Sequence, residues 1–249
     1  MKHLLTLLIC ALCITPAAAQ NAKRLGDNDP VAFNGSRPDR APVQGIDAAR
    51  FQEQIDWKKV KSAGIRFAFL KATEGGDLLD IKFKEHWRGA GRADVERGAY
   101  HFYYFCTAPE VQAGWFIRNV PKTGRNLPPV LDMEWNPFSP TCQRRPPAAQ
   151  VRAEMQTWLK MVEAHYRQRP VIYTTPGFYK EAGLDRLKGY EFWLRTTAKT
   201  PREAFPGQSW RFWQFTSTGI VPGIEGDTDR NIFNGSLAEW QSWLDARSR

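Results

Sequence analysis

From Val43 onward the chain alternates two hydrophobic rhythms. Short apolar runs that read as strands fall at 43–47, 67–72, 98–105, 130–134, 171–174, 192–194, 210–215 and 232–233. Between many of them lie stretches whose apolar residues recur at helical spacing. A helix is predicted over 55–63, with Ile55, Val60 and Ala63 buried and Gly64 as its stop. Others are predicted over 83–93, 109–120, 148–166 and 237–246. The 148–166 stretch has the clearest stripe: Val151, Met155, Trp158, Leu159 and Val162. Strands that are apolar on both faces, alternating with helices, imply a parallel sheet covered by helices. About eight such units in about 200 residues predict an α/β fold, an irregular single-domain, TIM-barrel-like (β/α) barrel at the short end of its size range.

Residues 43–249 therefore read as one barrel domain. Residues 21–42 are polar, rich in Gly, Pro, Asn, Asp and Arg, and without period. They read as a flexible leader that contributes little to catalysis. Residues 1–20 read as a secretory signal peptide: Lys2 and His3, an apolar stretch over 4–14, then Ala17-Ala18-Ala19 before the cut. The apolar stretch is too short to span a bilayer, so no integral membrane segment is expected after its removal. Neither Cys10 nor Cys13 follows the small residues of a lipoprotein site. A secreted or periplasmic, monomeric protein is expected.

The chain has 249 residues with a formal net charge of +9. Losing Lys2 with the signal leaves +8. A basic exported protein is drawn to anionic polymers, wall glycans among them. The charge is scattered and no nucleic-acid-binding module is recognisable, so nucleic acid is not expected as a partner. Export leaves Cys106 and Cys142, which both follow strand ends and are expected to pair in an oxidising compartment. The four histidines and the cysteines show no metal-ligand spacing, and neither metal nor cofactor is expected.

The chemistry-bearing stretch is Pro128-Pro129-Val130-Leu131-Asp132-Met133-Glu134-Trp135. In a strand, alternate side chains share a face, so Asp132 and Glu134 should point together with Met133 opposed. Two neighbouring carboxylates lower their repulsion by keeping a proton, which suits a general acid beside a charged helper. Asp-x-Glu alone is a weak signal. In a barrel, however, chemistry sits at the C-terminal ends of strands. Asp47, Thr73-Glu74, residues 101–104, Asp132 with Glu134, Tyr173 and Gln214 all fall at such ends.

Several motifs, in order, resemble glycoside hydrolase family 25, the muramidase (lysozyme) family acting on bacterial peptidoglycan. They are Gly45-Ile46-Asp47 followed by Ile55-Asp56-Trp57, Phe69-Leu70-Lys71-Ala72-Thr73-Glu74-Gly75, Gly98-Ala99-Tyr100-His101-Phe102, Leu131-Asp132-Met133-Glu134, Trp213-Gln214-Phe215-Thr216, and Val221-Pro222-Gly223-Ile224 leading to Asp229-Arg230-Asn231-Ile232-Phe233. The resemblance implies a β/α barrel and cleavage of the bond between N-acetylmuramic acid and N-acetylglucosamine in peptidoglycan glycan strands. It implies Glu134 as proton donor, Asp132 as its helper, and Asp47 and Asp229 as further site acids, with Asp227 the runner-up for Asp229. Tyr103, Tyr173, Trp193 and Gln214 are candidate saccharide contacts, although core packing is the commoner role for each aromatic. Two departures bear on sugar contacts. Arg195 follows Trp193-Leu194 where the family often has Ala, and Ala48-Ala49-Arg50-Phe51-Gln52 loosens the motif after the first aspartate.

Other readings compete with this one. The four acids could hold a hard cation, but no histidine accompanies them. A non-catalytic glycan-binding protein could use the same scaffold, since fold does not secure function. A chitinase-type barrel also carries Asp-x-Glu, but usually after further acids, and none precedes Asp132 here.

Overall fold

The computed structural model describes residues 24–123 and 126–247; the predicted signal peptide lies outside them. Eight strands close a barrel: β2 (Gln44–Ala48), β3 (Ile65–Glu74), β5 (Glu96–Phe102), β6 (Val130–Met133), β7 (Val171–Thr174), β8 (Glu191–Arg195), β9 (Phe212–Ile220) and β10 (Thr228–Phe233). β1 (Gly26–Asp27) and β4 (Leu78–Leu79) pair outside that ring, with β9 and β3. The helices are α1 (Trp57–Ser62), α2 (Phe83–Arg92), α3 (Pro109–Asn119), α4 (Ala148–Tyr166), α5 (Pro176–Ala182), α6 (Pro201–Ala204) and α7 (Leu237–Asp245). Among the described residues, no helix is long and apolar enough to cross a membrane.

Neighbouring strands from β2 round to β9 run parallel. β10 does not: it is antiparallel to both β9 and β2. The all-parallel alternation expected from the sequence is corrected here. Only residues 221–227 join β9 to β10, and a parallel crossover needs about a dozen residues or more. The chain turns back instead. Gly223 sits in this turn at φ +99°, where a Cβ would lie 2.6 Å from the Asp56 carbonyl oxygen. Its own carbonyl accepts the Asp56 N–H at 2.8 Å, so the turn is docked against the start of α1.

The barrel interior is filled by rings. Phe67, Phe69, Val130, Val171, Trp193, Phe212 and Phe233 form one buried cluster. Large residues fit because their neighbours are small: a Cβ on Gly45 would fall 2.3 Å from the Phe67 ring, and one on Gly98 would fall 2.8 Å from Phe69. Trp240 and Trp243 of α7 belong to the same cluster, with Trp240 packed on Phe67, and α7 opens with a Ser236/Glu239 capping box. The opposite strand faces, including Ile46, Leu131, Met133 and Leu194, meet the helices in a second cluster that takes in the predicted stripe of α4.

The described part of the segment read as a flexible leader, residues 24–42, touches the barrel at a few points while most of its residues are exposed. β10 follows a turn, so no intervening helix covers the outer face of β9 and β10. Trp213, Phe215 and Ile232 form a separate cluster there, and Phe33 and Ala41 pack onto it. The Phe33 ring meets Trp213 edge-on at 4.8 Å. Gln44 Nε2 donates to the carbonyls of Pro38 (2.6 Å) and Ala41 (3.1 Å), and Arg230 Nη1 to that of Gly26 (2.9 Å). Few apolar residues are needed to order the segment, because a ready-made apolar face awaits them.

Cys106 and Cys142 are joined in a disulfide that ties the loop after β5 to the loop after β6. Replacing both by Ser should cost about 3–5 kcal/mol in denaturant unfolding. Phe33→Ala should destabilise the fold by about 1–3 kcal/mol in the same measurement, with a loss of Trp fluorescence change at Trp213. A variant as stable as the wild type would mean that the 24–42 segment does not hold this face.

Candidate active site

Alternation along the strands sorts residues between the barrel's two sides. Asp132 and Glu134 line a cavity at the C-terminal mouth, while Met133 is in the outer core. The cavity is about 460 Å³ and is also lined by Asp47, Lys71, Tyr100, Phe102, Tyr173, Trp193, Arg195, Gln214 and Asp229, with Phe51 at its edge. Asp229 reaches the mouth because β10 runs backward: its N-terminal end lies beside the C-terminal end of β2, with Arg230 opposite Ile46.

Asp47 is held by a relay of buried side chains. Its Oδ1 accepts from Gln214 Nε2 (2.8 Å) and Asn231 Nδ2 (2.7 Å). Tyr173 donates its O–H to Gln214 Oε1 (3.0 Å), and Trp193 Nε1–H donates to Asn231 Oδ1 (2.7 Å). These bonds fix both amide orientations, since each amide oxygen has a donor and each nitrogen an acceptor. Burial, then the adjacent Asp229, raise the Asp47 carboxyl well above the usual range.

Asp132 is buried, and Glu134 is half-buried just past the strand. Desolvation raises both carboxyls; for Asp132 the Glu134 charge is the next cause. Trp135, next along the chain, does not line the cavity. That ring instead faces Phe105 and Phe178 on the outer side, donating Nε1–H to Glu181. Arg195 and Lys71 both counter the rise at Glu134. Lys71 is paired with Glu74 at 2.6 Å, and Tyr104 donates its O–H to the same carboxylate. A shift in register between Lys71 and Thr73 makes this possible. It leaves Thr73 on the outer side, bonded to His101, and returns Glu74 to the side of Lys71.

Of the predicted saccharide contacts, Tyr173, Trp193 and Gln214 reach the cavity, but their polar atoms are engaged in the Asp47 relay. Tyr103 does not reach it: its ring packs in the outer core and its O–H donates to Glu154 of α4. Register explains this, since Phe102 pairs with Asp132 and Tyr100 with Val130, giving the even-numbered residues of β5 the inner side. His101, also at a strand end, is buried between Thr73 and Gln112 and stacks on Trp158. Burial lowers its pKa to about 4, so the ring is neutral at pH 7. Lys71, Tyr100 and Asn231 stand in the motifs without being predicted site residues; inner-side parity with Asp132 and Asp47 is the signal that finds them. Among the described residues, no group of three or more His, Cys, Asp or Glu has metal-holding geometry.

Paired, desolvated carboxylates thus lie together at the C-terminal mouth of a closed barrel. The family model for "Glycosyl hydrolases family 25" matches residues 46–224, and the chain belongs to that family; it is a glycoside hydrolase. Lysozyme M1 of Streptomyces globisporus is 38% identical over 216 residues, covering 80% of this chain and 70% of that protein. The uncharacterized protein YegX of Escherichia coli (strain K12) is 34% identical over 264 residues, covering 97% of this chain and 94% of its own. The crystal structure of the bacterial lysozyme from Streptomyces coelicolor superposes with a TM-score of 0.74 at 35% identity, covering 84% of this chain and 99% of that one.

Burial moves Asp229 from its ordinary 3.8 up to about 6, against the pull of Arg195. The folded protein then binds more protons than the unfolded chain between those values. The stability this group contributes is fully present below about pH 4 and is lost as pH rises through about 6. Asp229→Asn should therefore gain melting temperature relative to wild type as pH rises from 4 to 7. A difference independent of pH would contradict a protonated, buried Asp229.

Proposed function

We propose that this glycoside hydrolase is an exported muramidase, cutting peptidoglycan glycan strands between N-acetylmuramic acid and N-acetylglucosamine. The observation that carries the reading is the Asp132/Glu134 pair, desolvated together on the inner side of a family 25 barrel. Glu134 gives its proton to the glycosidic oxygen as the C–O bond breaks. The acetamido oxygen of the retained sugar attacks the anomeric carbon and forms a cyclic intermediate. Water then opens that ring, losing a proton to the Glu134 carboxylate, and both groups return to their starting states.

Asp132 supports this substrate-assisted route. Its Oδ1 is buried and has no donor among the described residues. A substrate acetamide N–H would supply that hydrogen bond, turning the acetamido oxygen toward the anomeric carbon. Burial alone raises Asp132 further than Glu134; the acetamide N–H, by hydrogen-bonding the charged form of Asp132, moves the pair's proton to Glu134 when substrate is bound. Asp47 and Asp229 set the charge of the cavity wall behind the pair. The protein acts outside the cytoplasm as a monomer, its signal peptide being residues 1–20.

Glu134→Gln should lower turnover of purified peptidoglycan by about 10²–10⁴ while glycan binding persists. Gln is nearly isosteric but cannot deliver the proton. Mass analysis of wild-type digests should find new reducing muramic ends; anhydro ends would indicate a transglycosylase. Glycan binding without any products would leave the non-catalytic reading. The alkaline limb of the activity profile reports loss of the Glu134 proton. Arg195→Ala, which removes a cation that lowers this pKa, should move that limb to higher pH.

A further inference from the structure

Arg195 ends β8 with its side chain on the cavity side, as does Trp193; Leu194 between them is in the outer core. Two cations line the cavity beside Asp47, Asp132, Glu134 and Asp229. One, Lys71, is committed to Glu74 at 2.6 Å. The guanidinium of Arg195 makes no hydrogen bond or ion pair among the described residues. It acts on Asp47, Glu134 and Asp229 through space without bonding to any of them. Its side chain is half-buried at the mouth rather than solvated on an outer face.

This combination has a direct chemical meaning. A cavity walled by four acids repels an incoming anion, so a substrate anion is admitted only where a cation is uncommitted. A guanidinium offers parallel N–H donors that match a carboxylate's two oxygens. The muramic acid of wall glycans bears a lactyl carboxyl, which is free on peptide-free strands and an amide where a stem peptide is attached. Stem peptides carry carboxylates of their own. Resting on the muramidase reading above, we infer that Arg195 forms a carboxylate-binding subsite within the catalytic cavity and selects glycan by its acidic groups. The source favoured by its place beside the catalytic pair is the free lactyl carboxylate of peptide-free strands.

The test uses three forms of one soluble oligosaccharide of alternating N-acetylglucosamine and N-acetylmuramic acid: the free acid, its lactyl methylamide, and the form bearing stem peptides. Binding to wild type, Arg195→Ala and Arg195→Lys is measured by titration calorimetry, with melting curves to establish that each variant is folded. Arg195→Ala should weaken binding of the free acid by roughly 10–30-fold and of the methylamide by no more than about threefold. Arg195→Lys, which keeps the charge but loses the fork, should fall between wild type and Arg195→Ala on the acid. An equal loss on acid and methylamide would overturn the subsite, as would no loss on the acid or no binding of any form by wild type. A loss on the peptide-bearing form as large as on the free acid would keep the subsite and assign it to peptide carboxylates as well. Cleavage of the methylamide by wild type reports separately on the muramidase reading. If wild type binds these saccharides and cuts none, that reading fails while the affinity difference still decides the subsite.

Discussion

The length of one connection governs much of this molecule. Residues 221–227 are too few for a crossover, so the last barrel strand runs against its neighbours. Two features follow from the reversal. The first residues of β10, rather than its last, arrive at the cavity mouth, and with them Asp229 and Asn231. The outer face of β9 and β10 is also left without a helix of its own. The N-terminal segment takes the place of that helix, with Phe33 and Ala41 supplying the apolar cover and β1 extending the sheet edge. The acid site and the strap on the other side of the barrel wall therefore share one cause.

The site itself is a balance of desolvation against a few fixed charges. Burial raises every acid in the cavity wall, and neighbouring carboxylates raise several of them further. Hydrogen bonds from Gln214 and Asn231 and the charges of Arg195 and Lys71 oppose the rise. Rigid amides and a paired lysine keep these opposing groups in place, so the cavity holds its charge pattern before any substrate enters. Such preorganisation is what makes a low-dielectric site effective.

Much of this was legible in the sequence where periodicity is strong. All five stripe positions of α4 are buried, and the alternation at Asp132, Met133 and Glu134 separates the acids from the core residue as predicted. What could not be read depends on partners remote in sequence. Gly-Ala-Tyr-His-Phe-Tyr-Tyr-Phe is aromatic on both strand faces, so only register with β6 assigns Tyr100 inward and Tyr103 outward. The 24–42 segment is polar on average, and composition cannot see an uncovered apolar face elsewhere. Arg195 stood out as a departure from the family pattern, but only the closed barrel brings it among the acids.

The register shift in β3 has a further consequence. Beyond Lys71 the strand exchanges its sides, so that consecutive residues serve unrelated tasks: Thr73 joins the neutral His101–Gln112 knot outside, and Glu74 anchors a lysine inside. The extra residue works as a phase switch in the strand's alternation. Removing one residue at this point would not simply shorten the strand; it would exchange the audiences of everything beyond it. A carboxylate would turn toward apolar helices and a hydroxyl toward the acid-lined cavity. Along this stretch, insertions and deletions are thus far less tolerable than substitutions, even though the strand end borders a surface loop where length changes are ordinarily absorbed.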